Sequence, residues 1–156
     1  MIGKSQHQHG GGVNYLCLPN DPELPSNAEA GNQNGAFIYG VEYERLHSTR
    51  FFASVNDQDA PCAVCEVQGR SQVLMVPAKR TCPDGWTKEY DGLLASQHHL
   101  NKGSEFICMS SGMESVPGRN ADVLGGTVHV AEARCGTLQC PPYVDGYELT
   151  CVVCTK

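Results

Sequence analysis

The residues best suited to chemistry gather in the segment Asn56-Asp57-Gln58-Asp59, which places carboxylates and amides side by side. Calcium binds roughly six to eight oxygens, supplied by carboxylates, amides and backbone carbonyls. Alternate side chains of an extended segment point to one side, so Asp57 and Asp59 would share a face. Glu42 and Glu44 alternate in the same way, in a strand predicted over residues 37–44. The predicted cofactor is therefore calcium, and its predicted ligands are Asp57, Asp59, Glu42 and Glu44.

A solvated acidic loop is the alternative explanation of this segment. Asp and Asn side chains often cap such loops by bonding to the backbone two residues ahead. The full spacing of an EF-hand loop is absent, so the segment alone does not decide between the two. Converging carboxylates repel one another unless a cation lies between them, so calcium is favoured if the four side chains meet.

Histidines form a second candidate group, at His7, His9, His98 and His99. His7 and His9 lie beside the glycine-rich stretch 10–12, and His98 and His99 are adjacent in sequence. Imidazoles so placed can bind a transition metal, contact a polar ligand or remain on the surface, and all three interpretations stay open.

Composition and motifs exclude several classes of function. Neither Gly-x-Ser-x-Gly nor a phosphate-binding glycine loop is present, so the chain is predicted not to be an enzyme. The net charge is −6, with 11 Lys and Arg against 17 Asp and Glu, which leaves no basic stripe for nucleic acid. No apolar run approaches the roughly 20 residues that span a bilayer, so no membrane insertion is expected.

The elements that position these residues are predicted to be β-strands joined by long loops. Apolar and β-branched runs indicate strands at 37–44, 73–76, 128–131 and 149–153. The dipeptides Asn34-Gly35, Asp84-Gly85, Asp91-Gly92 and Asp145-Gly146 are typical of turns. No long window has helical periodicity, so the predicted fold class is all-β.

Cysteines and an internal repeat add to this picture. Nine cysteines in 156 residues indicate an oxidising, extracellular setting, although Cys62-x-x-Cys65 and Cys151-x-x-Cys154 could also be zinc or redox pairs. Ser5-Gln6-His7 recurs as Ser96-Gln97-His98, and the first CxxC motif recurs as the second at nearly the same offset. We therefore predict two homologous subdomains, residues 1–72 and 73–156.

The motifs Pro61-Cys62-Ala63-Val64-Cys65 and Thr81-Cys82-Pro83-Asp84-Gly85-Trp86 resemble the C-terminal noncollagenous domain of type IV collagen. The chain is more similar still to a marine-invertebrate group that spans sponge short-chain collagens and a galactose-specific sea-anemone lectin. Tyr39-Gly40-Val41-Glu42-Tyr43-Glu44 and Cys140-Pro141-Pro142-Tyr143-Val144 carry that similarity, which extends over nearly the whole chain from Gly10. It implies an all-β fold of two pseudo-symmetric, disulfide-rich subdomains.

The resemblance also implies a disulfide pairing. Carried over cysteine by cysteine, the collagen-domain pattern leaves Cys65 free or intermolecular, because its partner would precede residue 1. No Gly-X-Y collagen tract is present. The implied bonds are Cys17–Cys62, Cys82–Cys154, Cys108–Cys151 and Cys135–Cys140.

A function follows from the resemblance and the acidic segment together. We expect a secreted, calcium-dependent lectin that binds galactose-terminated glycans and forms a homodimer. Cys65 is a candidate for a disulfide between the two chains. The alternative is an extracellular-matrix assembly module without sugar binding. An aromatic face for galactose could come from Tyr43, Tyr15, Phe51 or Phe52. The predicted sugar-binding residues are Asn56, Gln58, Tyr43 and His7.

Overall fold

The computed structural model describes residues 1–7, 9–44, 54–119 and 125–156. These residues form eight strands and no helix, which confirms the all-β prediction. The strands are β1 (Ile2–Gly3), β2 (Tyr39–Tyr43), β3 (Gln58–Asp59), β4 (Val73–Pro77), β5 (Thr87–Ser96), β6 (Ile107–Ser110), β7 (Gly126–Val130) and β8 (Thr150–Thr155).

One mixed sheet joins all eight strands in the order β1-β2-β7-β5-β8-β4, with β3 on β2 and β6 on β5. The pair β2–β7 is parallel, and the other pairs are antiparallel. Strands β1 to β3 come from residues 1–72 and β4 to β8 from residues 73–156. The two segments thus share one sheet, while the division between them and their symmetry stay predictions.

Alternation along β2, β7 and β5 separates a core face from a polar face. Val41, Tyr43, Val128 and Ala95 are buried in one hydrophobic cluster. The strand register places Glu42 beside Thr127, and Ser96 beside His129. Because side chains of paired residues share a face, these four side chains lie together on the opposite face, which we call the polar face.

A second hydrophobic cluster continues this opposite face toward β8, where Leu94 packs with Cys108 and Cys151.

The structure contains four disulfides, Cys17–Cys62, Cys82–Cys154, Cys108–Cys151 and Cys135–Cys140. These bonds join the pairs that the resemblance implied. Cys65 is a free, exposed thiol. Both cysteines of Cys151-x-x-Cys154 lie in disulfides, so that motif holds neither zinc nor a redox pair of its own.

The predicted turn at Asp91-Gly92 is wrong, because β5 runs without interruption from Thr87 to Ser96. Gly92 serves a different purpose in the strand. A Cβ atom built on it would lie 1.6 Å from the carbonyl oxygen of Met109 in β6, so only glycine permits this approach of the two backbones.

Candidate functional site

Two of the predicted calcium ligands lie directly opposite each other. In the antiparallel pair β2–β3, Glu42 faces Asp59 and Tyr43 faces Gln58. Opposed side chains of such a pair share a face, with Cβ atoms about 4.5–5.5 Å apart. Glu42 is 6% exposed and Asp59 is half-buried. The structure therefore brings these two carboxylates together on the polar face.

Asp57 lies outside the strand, in the turn before β3. Its backbone N–H donates to the carbonyl of Tyr43 at 2.7 Å, and its φ of 57° is in the left-handed region, which Asp and Asn tolerate well. The expectation of an extended segment with Asp57 and Asp59 on one side is therefore wrong at Asp57. Its side chain is exposed.

The amides of the segment flank this turn. Asn56 and Gln58 are both half-buried. The Gln58 side-chain Nε2 donates to the carbonyl of Ser54 at 2.8 Å, which holds that amide against the turn. The turn therefore presents amide and carboxylate oxygens within four consecutive residues.

Glu44 follows the end of β2 and lies nearer to β7. Its backbone N–H donates to the carbonyl of Val128 at 3.3 Å, and its Oε2 lies 3.9 Å from Nε2 of His129. Within the described residues, no group of three or more His, Cys, Asp or Glu side chains is arranged to hold a metal ion. The Glu42–Asp59 pair and the turn still offer the hard oxygen donors that calcium prefers, a set that backbone carbonyls and water complete in many sites.

The amino group of Met1 also lies close to Asp59. The amino group of Met1 donates to the carbonyl of Ala60 at 2.7 Å. Burial lowers the pKa of this amine, and the charge of Asp59 opposes part of that shift.

Tyr43 lies on the face opposite this acidic group, in the hydrophobic core. Tyr43 is 6% exposed, its hydroxyl donates to the carbonyl of Glu114 at 3.2 Å, and burial raises its pKa. A ring so enclosed packs in the core and has no open face for a sugar. His7 is exposed, and its backbone N–H donates to Oγ of Ser5 at 3.4 Å.

Tyr15 does not supply that face either. The hydroxyl of Tyr15 bonds with Oγ of Ser104 at 2.8 Å and donates to the carbonyl of Thr127 at 3.1 Å, and its ring contacts the core. Phe51 and Phe52 lie outside the described residues.

A cavity of about 590 Å³ opens where β5 and β7 end. We call it the histidine pocket. Its lining includes two of the histidines singled out in the sequence, His98 and His99, together with a third, His129. His129 stands between Val128 and Val130, and a polar residue between two apolar ones in a strand is the sequence signal that could have pointed to it. Ser96, Gln97, Phe106, Glu132 and Arg134 are also part of the lining.

The three imidazoles are held close together. The ring centroids of His98 and His99 lie 4.2 Å apart, and those of His98 and His129 lie 4.9 Å apart. Nδ1 of His98 accepts from the backbone N–H of Leu100 at 3.3 Å. In the neutral ring the proton must then lie on Nε2, which makes Nε2 a donor.

The amide of Gln97 is fixed at the centre of a hydrogen-bond network. Its Oε1 accepts from the hydroxyl of Thr127, from Nδ2 of Asn101 at 3.3 Å and from the backbone N–H of His98 at 3.2 Å. Because the Thr127 hydroxyl has given its proton to Gln97, it accepts from Nε2 of His129, 3.3 Å away. These bonds fix the orientation of the Gln97 amide and, through Thr127, the orientation of the His129 ring.

The histidine pocket and the acidic group lie on the same face of the sheet. Thr127 is the register partner of Glu42, and Glu44 approaches His129. Both candidate regions are therefore built on one surface, with β2 and β7 as the shared support.

No family model matches the chain, and no solved structure matches it. Among the described residues, no helix is long and apolar enough to cross a membrane.

Proposed function

We propose that the protein is an extracellular, calcium-dependent lectin that binds terminal galactose. The observation that supports this most is the opposition of Glu42 and Asp59 across β2–β3, since it joins carboxylates from two separate segments on one face. The resemblance to the galactose-specific lectin group, argued from the sequence, supplies the sugar.

Calcium accounts for how such a site would hold a sugar. A hydroxyl that exchanges water for a protein hydrogen bond gains only about 1 kcal/mol. A fixed cation with open coordination positions accepts hydroxyl oxygens as ligands instead. Glu42 and Asp59 would hold the calcium. The Asp57 carboxylate and the amides of Asn56 and Gln58, in the adjoining turn, would contact it through water or bind the sugar.

The disulfides support an extracellular location. Four intramolecular bonds are typical of proteins that fold in an oxidising compartment. Three of them close loops of 45, 72 and 43 residues. Each of these bonds restricts the unfolded chain and thereby raises the free energy of unfolding by about 4 kcal/mol. A rigid scaffold of this kind holds ligand oxygens in place without a helix.

The exposed thiol of Cys65 supports a second candidate function. A free surface cysteine in an oxidising compartment can form a disulfide with a second copy of the chain. Such a homodimer would pair two sugar sites and raise avidity. The same bond would equally suit a matrix assembly module that binds no sugar.

Retention on galactose resin, with and without a chelator, separates the two functions. We expect retention in calcium, elution by EDTA, and loss of retention in Asp57→Asn and Asp59→Asn. Asparagine keeps the shape of the side chain and tolerates the left-handed backbone of residue 57. Asp84→Asn, in an exposed turn, is the matched control and should bind as wild type.

Other results would favour the matrix module. A chain that passes through the resin in saturating calcium, yet forms oligomers indifferent to galactose and EDTA, contradicts the lectin proposal. Far-ultraviolet circular dichroism of each variant establishes that lost retention does not come from lost folding.

A further inference from the structure

We propose that the histidine pocket binds one neutral saccharide unit without any cation. The site is separate from the proposed calcium ligands, so it goes beyond the calcium-dependent function and does not depend on it. A glycan could then contact the protein at two places on the same face of the sheet.

The size and composition of the pocket suit a small polar ring. Its volume of about 590 Å³ falls within the roughly 300–1,000 Å³ of small-molecule sites. Phe106 lines it and is 58% exposed. A pyranose has an apolar face of C–H groups and a rim of hydroxyls, so an open aromatic ring beside polar groups matches both parts of it.

The polar groups of the wall offer donors and acceptors together. Nε2 of His98 is a donor, because Nδ1 already accepts from Leu100. The NH2 group of Gln97 is a donor as well, because Oε1 is the atom engaged by Thr127, Asn101 and His98. Glu132 adds carboxylate oxygens. Sugar hydroxyls both donate and accept, so they can satisfy this mixed set.

The charges of the wall favour a neutral ligand over an ionic one. Arg134 pairs with Glu132 at 3.1 Å and approaches Asp145 at 3.7 Å. Its side chain is 72% exposed, so it lies in solvent, and the carboxylates beside it offset its charge. Arg134 therefore provides no unbalanced positive charge that would select a phosphate, a sulfate or a carboxylate sugar.

The pocket is also organised before a ligand arrives. Gln97 is held by three donors, and His129 is 9% exposed and contacts Thr127. Ser96 Oγ bonds to Ser104, which fixes the wall beside His98. Groups already fixed in place lose little conformational entropy when they bind.

Imidazole resonances followed by NMR in EDTA test the proposal directly. The full chain is titrated with methyl β-galactopyranoside and with methyl α-mannopyranoside, and sorbitol serves as the open-chain polyol control. We expect at least one glycoside to shift the signals of His98, His99 and His129, and sorbitol to leave them unchanged. Phe106→Ala should weaken the binding roughly fivefold, since it removes the stacking face, and Phe106→Tyr should preserve it. Leu18→Ala, at an apolar residue of similar exposure (54%) outside the lining, is the matched control.

Several outcomes would overturn the inference. They are the absence of imidazole shifts with both glycosides, equal shifts with sorbitol, or shifts unchanged by Phe106→Ala. Binding that requires calcium and disappears in Asp57→Asn would show that only the calcium site exists. Conversely, a wild-type chain that shows glycoside-induced imidazole shifts in EDTA but no calcium-dependent binding to the resin would contradict the proposed function. That result would leave the inference about the histidine pocket intact.

Discussion

Glu42 in β2 and Asp59 in β3 oppose each other in an antiparallel pair. Strand alternation alone could place Glu42 and Glu44 on one side, but only the sheet register brings Asp59 beside Glu42. The acidic group is thus a product of tertiary pairing, and its behaviour toward calcium can be tested separately from sugar binding.

Calcium should raise the thermal stability of the wild-type chain and not that of Asp59→Asn. A ligand that binds only the folded state stabilises it by about 2.7 kcal/mol at a concentration of 100 times its Kd. Differential scanning calorimetry in calcium and in EDTA measures the difference. Magnesium is the control ion, because it demands a smaller, more regular site. Equal melting temperatures of the wild type in calcium and EDTA would remove the acidic group as a calcium site.

Gly92→Ala should destabilise the protein severely, by about 3 kcal/mol or more. The added Cβ would meet the backbone of Met109 at 1.6 Å, and backbone cannot move aside as a flexible side chain can. Gly40→Ala is the matched control in another strand, since nothing lies within 4 Å of its Cβ position. Urea unfolding compares the two variants, and similar midpoints would show that β5 and β6 are further apart than described.

The sequence predicted most strands because apolar alternation and β-branched residues are local signals. The strand predicted at 73–76 is β4, and that predicted at 149–153 overlaps β8. Asp91-Gly92 was misassigned as a turn because a dipeptide carries no information about the neighbouring strand. The need for glycine there arises from Met109, which lies in β6 and is remote in sequence.

The candidate site was less predictable, for a related reason. Tyr43 is a candidate aromatic face for the sugar by sequence, but the alternation that places Glu42 on the polar face places Tyr43 in the hydrophobic core. The histidine pocket combines β5, β7 and the residue before β6. Its histidines were visible in the sequence, but their proximity depends on pairing between strands.

Removal of the Cys108–Cys151 disulfide should cost the fold about 4 kcal/mol, whereas Cys65→Ser should cost almost nothing. The bond closes a loop of 43 residues and lies in a buried cluster, and the chain-entropy model gives the magnitude. Cys65 is exposed and unbonded. Guanidinium unfolding of Cys108→Ala/Cys151→Ala and of Cys65→Ser provides the comparison.

Cys65→Ser should also abolish covalent dimers on non-reducing gels if the thiol links two chains. Wild-type protein purified under oxidising conditions is the reference, and the same sample after reduction is the control. A covalent dimer that persists in Cys65→Ser would have to use a cysteine from one of the four intramolecular bonds, which would contradict the pairing described above.

Alkaline pH should destabilise the wild type more steeply than Tyr43→Phe. Burial raises the pKa of Tyr43, above an ordinary value of about 10. As pH rises beyond about 10, the unfolded chain releases the phenolic proton before the folded chain does, so the free energy of unfolding falls until the folded pKa is passed. Phenylalanine has no proton to release, so its curve should be flatter, while the lost bond to Glu114 costs about 1 kcal/mol at neutral pH. Urea unfolding between pH 8 and pH 11, roughly the range around that pKa, measures both effects.

Tyr147→Phe is the control for the Tyr43 prediction, because the Tyr147 side chain is 64% exposed. If the pH slope of stability for Tyr43→Phe equals that of this control, the Tyr43 phenol is not buried.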